Sequence, residues 1–150
     1  MNINGEPLVI LLVEDNEDHA ELVKRNFQTH RIANHIYHVK DGEEALDFLF
    51  HRGAYSNIET SPKPNLILLD LRLPKLDGLG VLNLVKADEQ LKSIPTVVLT
   101  SSESENDVNL AYENHVNSFL VKPLDFDKFS AMMRELGMYW LGWNTNPYQQ

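Results

Sequence analysis

Five short apolar runs, separated by longer segments with apolar residues at helical spacing, constrain the fold of this chain more than any other feature. Three of the runs consist almost wholly of Val, Ile, Leu and Thr, which is typical of strands covered on both faces. The segments between and after the runs place their apolar residues on one face, which predicts amphipathic helices. The predicted strands are Leu8–Val13, His35–Val39, Leu66–Leu69, Thr96–Leu99 and Ser118–Val121. Strands that alternate with helices indicate βα units around a parallel sheet.

The order of the strands in that sheet can also be predicted. The run at His35–Val39 alternates polar and apolar residues, so we expect this strand to lie at an edge. Because crossovers between parallel strands are right-handed, few topologies remain for five strands and five helices. The commonest is the doubly wound α/β fold of the flavodoxin-like type, with the strand order 2-1-3-4-5. We therefore predict this fold class.

Local signals mark the helix starts and one unusual connection. Asn16 and Asp125 are expected to cap the first and last helices, and Asp41 with Glu44 resembles a capping box. The segment 52–65 contains turn-forming residues, and its apolar residues show no helical or strand periodicity. It is longer than the usual connection between a helix and a strand. We expect it to be a surface insertion.

Composition excludes several classes of function. At 150 residues the chain has room for about one domain. It has 13 Lys and Arg against 22 Asp and Glu, and a net charge of −9 opposes direct binding to nucleic acid. There is no cysteine, which excludes disulfides and thiolate sites. The first residues lack a basic region and the apolar run that follows is too short for a membrane span, so we expect a cytoplasmic protein.

Polar side chains follow four of the five predicted strands at the point where each strand ends. Ligands of open α/β sheets bind at the carboxyl ends of the strands, so these side chains are expected to meet in one crevice. They are Glu14 and Asp15 after the first strand, Asp70 after the third, Thr100 after the fourth, and Lys122, which Pro123 follows, after the fifth.

This set of residues favours phosphoryl transfer. Three crowded carboxylates repel one another and require a compensating cation, and oxygen ligands suit Mg²⁺. Asp70 would be the nucleophile, Lys122 and Mg²⁺ would offset phosphoryl charge, and Thr100 would donate a hydrogen bond. Taken alone, each residue has an ordinary interpretation as a helix cap, a strand former or a surface lysine. Their joint placement at four strand ends favours the chemical interpretation.

Four motifs within this frame resemble those of a known family. They are Val-Glu-Asp at 13–15, Leu-Leu-Asp-Leu-Arg-Leu-Pro-Lys-Leu-Asp-Gly at 68–78, Val-Leu-Thr-Ser at 98–101 and Phe-Leu-Val-Lys-Pro at 119–123. The chain resembles a response-regulator receiver domain of two-component signalling. The resemblance spans roughly residues 8–136, and we expect a receiver domain over 1–141 with a C-terminal tail at 142–150.

The resemblance implies specific roles at the acidic end of the site. Asp70 corresponds to the phosphoacceptor, and Asp15 to a direct ligand of Mg²⁺. Glu14 corresponds to an outer or water-mediated ligand, and the backbone carbonyl of Arg72 to a third protein ligand. The implied activity is that of a phosphoacceptor signalling protein that assists its own phosphorylation and dephosphorylation, rather than that of an enzyme.

The resemblance also implies a conformational switch. Thr100 and Lys122 correspond to the switch hydroxyl and the lysine of the family, and Phe119 to its aromatic switch residue. An ordinary core position is the alternative for Phe119. The Lys122–Pro123 bond is expected to be cis, which would aim Lys122 at the site. Arg72 and Ser102 lie at positions that face the phosphoryl group in this family.

Less specific motifs resemble those of one group of receivers within this family. The insertion around Tyr55, the segment 109–119 and the aromatic residues near 138–141 resemble small receivers that partner bacterial phytochromes, notably in cyanobacteria. The implied donor is a sensor histidine kinase, and with no effector domain expected, output would pass through contact with an unknown downstream protein. Tyr139, Trp140 and Trp143 would either form a homodimer surface or pack against their own domain.

Three other functions are alternatives for such a sequence. A pseudo-receiver would be a binding module that phosphorylation does not control. A phosphatase with an aspartyl nucleophile would need a second Asp two residues after Asp70, where this chain has Arg72. A flavodoxin would need a phosphate-cradling loop after the first strand, where this chain is acidic. The six histidines show no metal-ligand spacing, and we expect them to be surface or core residues.

Overall fold

The predicted alternation of strands and helices is observed. A computed structural model of the protein describes residues 8–29, 34–101, 105–137 and 139. The strands are β1 (Leu8–Val13), β2 (Asn34–Val39), β3 (Leu66–Leu69), β4 (Thr96–Thr100) and β5 (Ser118–Val121). The helices are α1 (Glu17–Thr29), α2 (Gly42–Phe50), α3 (Gly78–Ala87), α4 (Glu105–Glu113) and α5 (Phe126–Gly137), with a short 3-10 helix at Gly53–Tyr55.

All strand pairings in the sheet are parallel, and the order is β2-β1-β3-β4-β5. The predicted flavodoxin-like order is therefore confirmed, with β2 at an edge. In the register, Val13 pairs with Leu69 and Thr100 pairs with Val121. The residues that follow these pairs are therefore brought side by side. Strand β4 is one residue longer than predicted and ends on Thr100 itself.

Helices cover both faces of the sheet. Because side chains alternate along a strand, Leu11 and Val13 pack into the core that includes residues of α2, α3 and α4, whereas Ile10 and Leu12 pack into the core formed with α1 and α5. Burial on both faces explains why the sequences of β1 and β3 are continuous apolar runs. No helix in the described ranges is long and apolar enough to cross a membrane.

The predicted caps are present. Asn16 Oδ1 accepts the backbone N–H groups of Asp18 and His19 at 2.9 and 3.0 Å, and Asp125 Oδ1 accepts that of Lys128 at 3.0 Å. Asp41 Oδ1 accepts the N–H of Glu44 at 2.8 Å. Three helices thus begin where the sequence predicts, at the edge of the sheet that carries the polar residues.

The insertion has more structure than its sequence indicates. It contains the 3-10 helix Gly53–Tyr55, and Ser61 is fully buried. The Ser61 hydroxyl lies 3.0 Å from the carbonyl of Tyr55 and 2.8 Å from that of Asn57. Most of the segment is exposed, as expected, but these hydrogen bonds fold it back on itself.

Candidate functional site

Backbone hydrogen bonds of the sheet continue one residue past the ends of β1, β3 and β5. They fix the main-chain position of the site. The N–H of Glu14 donates to the carbonyl of Val39 at 3.0 Å, and that of Asp70 donates to Val13 at 3.0 Å. The N–H of Lys122 donates to Thr100 at 2.8 Å. These bonds hold the three charged residues at the same edge of the sheet, although they are far apart in sequence.

Lys122 lies at the centre of the site. Its Nζ donates to Glu14 Oε1 and, at 2.9 Å, to Asp70 Oδ2. The side chains of Lys122 and Glu14 are only 3% and 2% exposed, and Asp70 is also buried. A buried charge is tolerated when it is paired and hydrogen-bonded. The sequence prediction that these side chains converge is therefore confirmed by the geometry.

The remaining carboxylate oxygens are bound locally. Asn16 donates its backbone N–H to Glu14 Oε2 at 3.2 Å, and Arg72 donates its backbone N–H to Asp70 Oδ1 at 3.0 Å. The hydroxyl of Thr100 also hydrogen-bonds Asp70. Asp70 is thus held by partners from its own loop, from β4 and from the residue after β5.

The two carboxylates that share Lys122 differ in acidity. Burial raises the pKa of Glu14 to about 7, and the hydrogen bond and charge of Lys122 only partly offset this rise. Burial also acts to raise the pKa of Asp70. There it is outweighed by Lys122, with help from the N–H of Arg72 and the hydroxyl of Thr100, so the pKa falls below its usual range. Asp70 is therefore the carboxylate kept ionised, as a nucleophile must be.

His19 belongs to this site, although we expected an ordinary surface or core position for it. Its Nδ1 lies 3.0 Å from Lys122 Nζ and 3.9 Å from Glu14 Oε1. Burial and the charge of Lys122 lower its pKa. The only sequence signal was its place in the first turn of α1, four residues after Asp15 at the same edge of the sheet.

Three carboxylates form a possible metal centre. Ligand oxygens of Glu14, Asp15 and Asp70 lie within 4.8 Å of one another, and the side chain of Asp15 is exposed. A set of hard oxygen donors with one side open to solvent fits Mg²⁺, which binds few carboxylates and retains several waters. The backbone carbonyl of Arg72 stays a prediction as a further ligand.

The loop that carries Asp70 depends on a glycine. A Cβ added at Gly78 would lie 2.2 Å from the carbonyl oxygen of Asp70 and 2.6 Å from the Cα of Leu71. The backbone N–H of Gly78 donates to the carbonyl of Leu71 at 2.9 Å. Helix α3 therefore begins directly against the backbone of the Asp70 loop, and only glycine permits this approach.

The predicted switch residues occupy varied surroundings. Thr100 is fully buried, Phe119 is half-buried against the core on the side of α2, α3 and α4, and Pro123 is half-buried. The expected cis bond at Lys122–Pro123 was wrong, because no cis peptide bond occurs among the described residues. Trans is the ordinary lower-energy form of such bonds, and Lys122 reaches Asp70 from it.

Arg72 pairs its side chain with an acidic residue of α4. Its guanidinium pairs with Asp107, a buried residue of α4, although the arginine itself is 62% exposed. No sequence pattern distinguishes Asp107, because an acidic residue in the first turn of a helix is ordinary. Ser102, the other residue expected to face a phosphoryl group, lies outside the described residues.

The aromatic residues near the C-terminus are described only in part. Tyr139 is 55% exposed and lies beside β5 and α5 in a groove that includes Leu120 and Met132. Trp140 and Trp143 lie outside the described residues. The alternatives for this aromatic set, homodimer surface or packing within the domain, therefore stay predictions.

Comparison with known proteins gives consistent results. The sequence matches the model of the response regulator receiver domain over residues 10–134. It is 47% identical over 143 residues to the probable methanogenesis regulatory protein FilR2 of Methanothrix harundinacea, covering 95% of this chain and 89% of that protein. It is 44% identical over 144 residues to response regulator Rcp1 of Synechocystis, covering 96% of both.

Solved structures agree with this assignment. The Mn²⁺-bound form of Rcp1 superposes with a TM-score of 0.89 at 44% identity, over 94% of this chain and 99% of that chain. The phosphorylated cyanobacterial phytochrome response regulator RcpA has a TM-score of 0.89 at 36% identity, with the same coverage. Because a family model matches residues 10–134 and two relatives match 95% and 96% of the chain, the protein belongs to the response regulator receiver domain family and is related to the phytochrome response regulators.

Proposed function

We propose that this protein accepts a phosphoryl group from a sensor histidine kinase onto Asp70, in a reaction that requires Mg²⁺. The observation that carries the proposal is the buried ammonium of Lys122 beside Asp70, at 2.9 Å. It keeps the nucleophile ionised inside the fold and stands where phosphoryl charge would arrive. The alternative interpretation, a pseudo-receiver, has no comparable use for this arrangement.

The chemistry is a transfer between two nucleophiles. One carboxylate oxygen of Asp70 attacks phosphorus and forms an acyl phosphate, while the P–N bond of the phosphohistidine breaks and its electron pair stays with the imidazole, which takes a proton from solvent. Glu14, Asp15 and Asp70 would hold Mg²⁺, with the carbonyl of Arg72 as a further ligand. The ion would offset negative charge on the phosphoryl oxygens.

Two residues of the chain would respond to the product. Lys122 already lies against Asp70 and would donate to a phosphoryl oxygen. The Thr100 hydroxyl, which hydrogen-bonds Asp70 now, would donate to the phosphoryl group instead. Movement of Thr100 would release space for Phe119, which is half-buried in the neighbouring strand and paired with Val98 of β4. The surface formed by α4, β5 and α5 would then change.

The relatives support a narrower proposal for the partner. Structures of similar fold include RcpA, named as a cyanobacterial phytochrome response regulator, and the bacteriophytochrome response regulator RtBRR at 42% identity. We propose that the kinase is a phytochrome and that the protein acts in the cytoplasm. Its net charge of −9 supports output to a protein partner rather than to nucleic acid.

The surface around Tyr139 is the proposed site of self-association. All four residues of β5 are only half-buried, and the exposed Tyr139 lies beside them. Tyrosine is favoured at protein interfaces, since it buries a large apolar ring and keeps a polar group. A homodimer through this side would couple a change at Phe119 to association with the downstream protein.

The proposal is tested by incubating the protein with acetyl phosphate and Mg²⁺ and measuring its intact mass. We expect addition of one phosphoryl group, which is lost in Asp70→Asn and in the presence of a chelator. Asp77→Asn is the matched control, because Asp77 caps α3 in the same loop and Asn retains that cap. Equal labelling of Asp70→Asn would refute the assignment of the acceptor.

A kinase donor distinguishes the remaining possibilities. If acetyl phosphate fails, the same measurement is made with an autophosphorylated phytochrome histidine kinase as donor. Transfer to wild type and not to Asp70→Asn would support the proposal. Absence of transfer from both donors would contradict it and favour the pseudo-receiver, a module that acts through binding alone.

A further inference from the structure

We propose that His19 is a positioning residue, which accepts the third N–H bond of Lys122 and so fixes the direction in which its ammonium group points. This inference rests on the proposed function, because its purpose is to orient Lys122 for a phosphoryl group on Asp70. It assigns a role to a side chain that neither the metal site nor the acceptor explains.

The ammonium group of Lys122 can donate three hydrogen bonds. A lysine side chain has three N–H donors and no acceptor. Lys122 Nζ has three neighbours at hydrogen-bond distance: Glu14 Oε1, Asp70 Oδ2 at 2.9 Å and His19 Nδ1 at 3.0 Å. Each donor therefore has one partner. Because the ammonium cannot accept, the Nδ1 atom of His19 must accept, and the imidazole is neutral with its proton on Nε2.

His19 is itself held in place from two sides. Its backbone N–H donates to Asn16 Oδ1 at 3.0 Å, which fixes it in the first turn of α1. Its ring packs on that of Phe129 in α5, with 5.4 Å between the ring centroids, and Phe129 is buried. The imidazole thus has a rigid support, whereas an exposed side chain would not fix a partner.

The three partners of Lys122 differ in what the reaction does to them. The carboxylates of Glu14 and Asp70 belong to the acidic cluster, and Asp70 is converted to an acyl phosphate. His19 alone stands outside the cluster and keeps the same neutral acceptor before and after transfer. His19 therefore keeps one N–H of the Lys122 ammonium in a constant direction, while another N–H of the same group turns to a phosphoryl oxygen. Donors fixed in advance lower the reorganisation that the reaction requires.

A pair of substitutions separates the acceptor from the shape of the side chain. His19→Leu fills similar space against Phe129 but accepts no hydrogen bond. His19→Asn places its Oδ1 about where Nδ1 stands, so it retains an acceptor. We expect His19→Leu to slow labelling by acetyl phosphate at saturating Mg²⁺ by about tenfold, the size of one hydrogen bond to a charged group. His19→Asn should recover most of that loss.

A second measurement reports on Lys122 directly and requires no phosphorylation. In nitrogen-15 NMR spectra without acetyl phosphate, the Nζ group of Lys122 should give a resolved, slowly exchanging signal in wild type and in His19→Asn. The signal should be lost in His19→Leu, because one N–H is then open to water. A role limited to packing on Phe129 would leave this signal unchanged.

The outcomes separate this inference from the proposed function. If wild type is not phosphorylated by any donor, the proposed function fails, and the NMR comparison still decides whether His19 binds Lys122. An unchanged Lys122 signal in His19→Leu would overturn the inference. Equal labelling rates in wild type and His19→Leu, or equal slowing in the Leu and Asn variants, would overturn it as well.

Discussion

Two groups of acidic side chains lie at the carboxyl edge of the sheet, and they are used in opposite ways. The pocket cluster, Glu14, Asp15 and Asp70, includes two buried carboxylates that share one buried ammonium. The cap cluster, Asp41 and Glu44, begins α2. There Asp41 accepts the N–H of Glu44, and Glu44 accepts the N–H of Lys40, each at 2.8 Å.

The two clusters differ in which groups donate hydrogen bonds to their carboxylate oxygens. In the cap cluster, the second oxygen of Glu44 accepts the hydroxyl of Tyr55 at 2.8 Å, so both of its oxygens have neutral donors. The ammonium of Lys75 lies 3.7 Å from Asp41 but is 60% exposed, so no positive charge is buried there. In the pocket cluster the two buried carboxylates, Glu14 and Asp70, each have one backbone donor, and the other oxygen of each depends on Lys122. Acidic residues that depend on a buried ammonium indicate chemistry, whereas those whose oxygens are satisfied by neutral donors and an exposed cation indicate structure.

Removal of the ammonium should have the largest effect. In Lys122→Met, the carboxylates of Glu14 and Asp70 remain buried without their partner, so we expect the free energy of unfolding to fall by about 3–5 kcal/mol. Urea unfolding without divalent cations measures this. Lys92→Met is the control, since Lys92 pairs with Glu89 on the surface at 2.9 Å and should change stability by under about 1 kcal/mol.

Added Mg²⁺ sharpens this prediction. If the pocket cluster binds the ion, the folded state of Lys122→Met should gain more stability from it than that of Lys92→Met does, because the ion replaces the missing positive charge. A loss in Lys122→Met no larger than that in Lys92→Met would contradict the account of the pocket as a cluster that depends on one lysine.

The same contrast explains what could be predicted from the sequence. The periodicity of apolar residues predicts the strand order, and the polar residues at the helix starts predict the three caps. The convergence of Glu14, Asp70 and Lys122 follows from their positions after the strands, since the carboxyl ends of parallel strands lie at one edge of the sheet. The contact between His19 and Lys122 depends on side-chain direction within α1 and on Phe129 behind it. The pair formed by Arg72 and Asp107 likewise depends on the placement of α4, which no local pattern encodes.

The cap cluster should give a smaller effect that is confined to stability. Asp41→Ala removes the acceptor for the N–H of Glu44, and we expect a loss of about 1 kcal/mol in the free energy of unfolding. Asp41→Asn retains an acceptor and should lose far less. Labelling of Asp70 by acetyl phosphate should proceed at the wild-type rate in both variants. A slower rate in Asp41→Ala alone would show that the two clusters are coupled.

The smallest effect is expected at alkaline pH. Burial, together with the hydrogen bond to Glu44, raises the pKa of Tyr55 to about 12 from its ordinary value of 10.0. The folded state therefore holds this proton more tightly, and its contribution to stability is complete below pH 10. Above pH 10 the unfolded chain ionises first, so the contribution is lost as pH rises toward about 12.

Comparison of wild type with Tyr55→Phe isolates this contribution. The difference in free energy of unfolding between them should be about 0.5 kcal/mol at pH 8 and should shrink steadily above pH 10. Tyr37→Phe is the matched control, because the rings of Tyr37 and Tyr55 both pack on Phe48 at 5.3 Å. If the two variants follow wild type in parallel from pH 8 to pH 12, the hydroxyl of Tyr55 is not a structural partner of Glu44, and the cap cluster would then need another neutral donor to account for its lack of a buried cation.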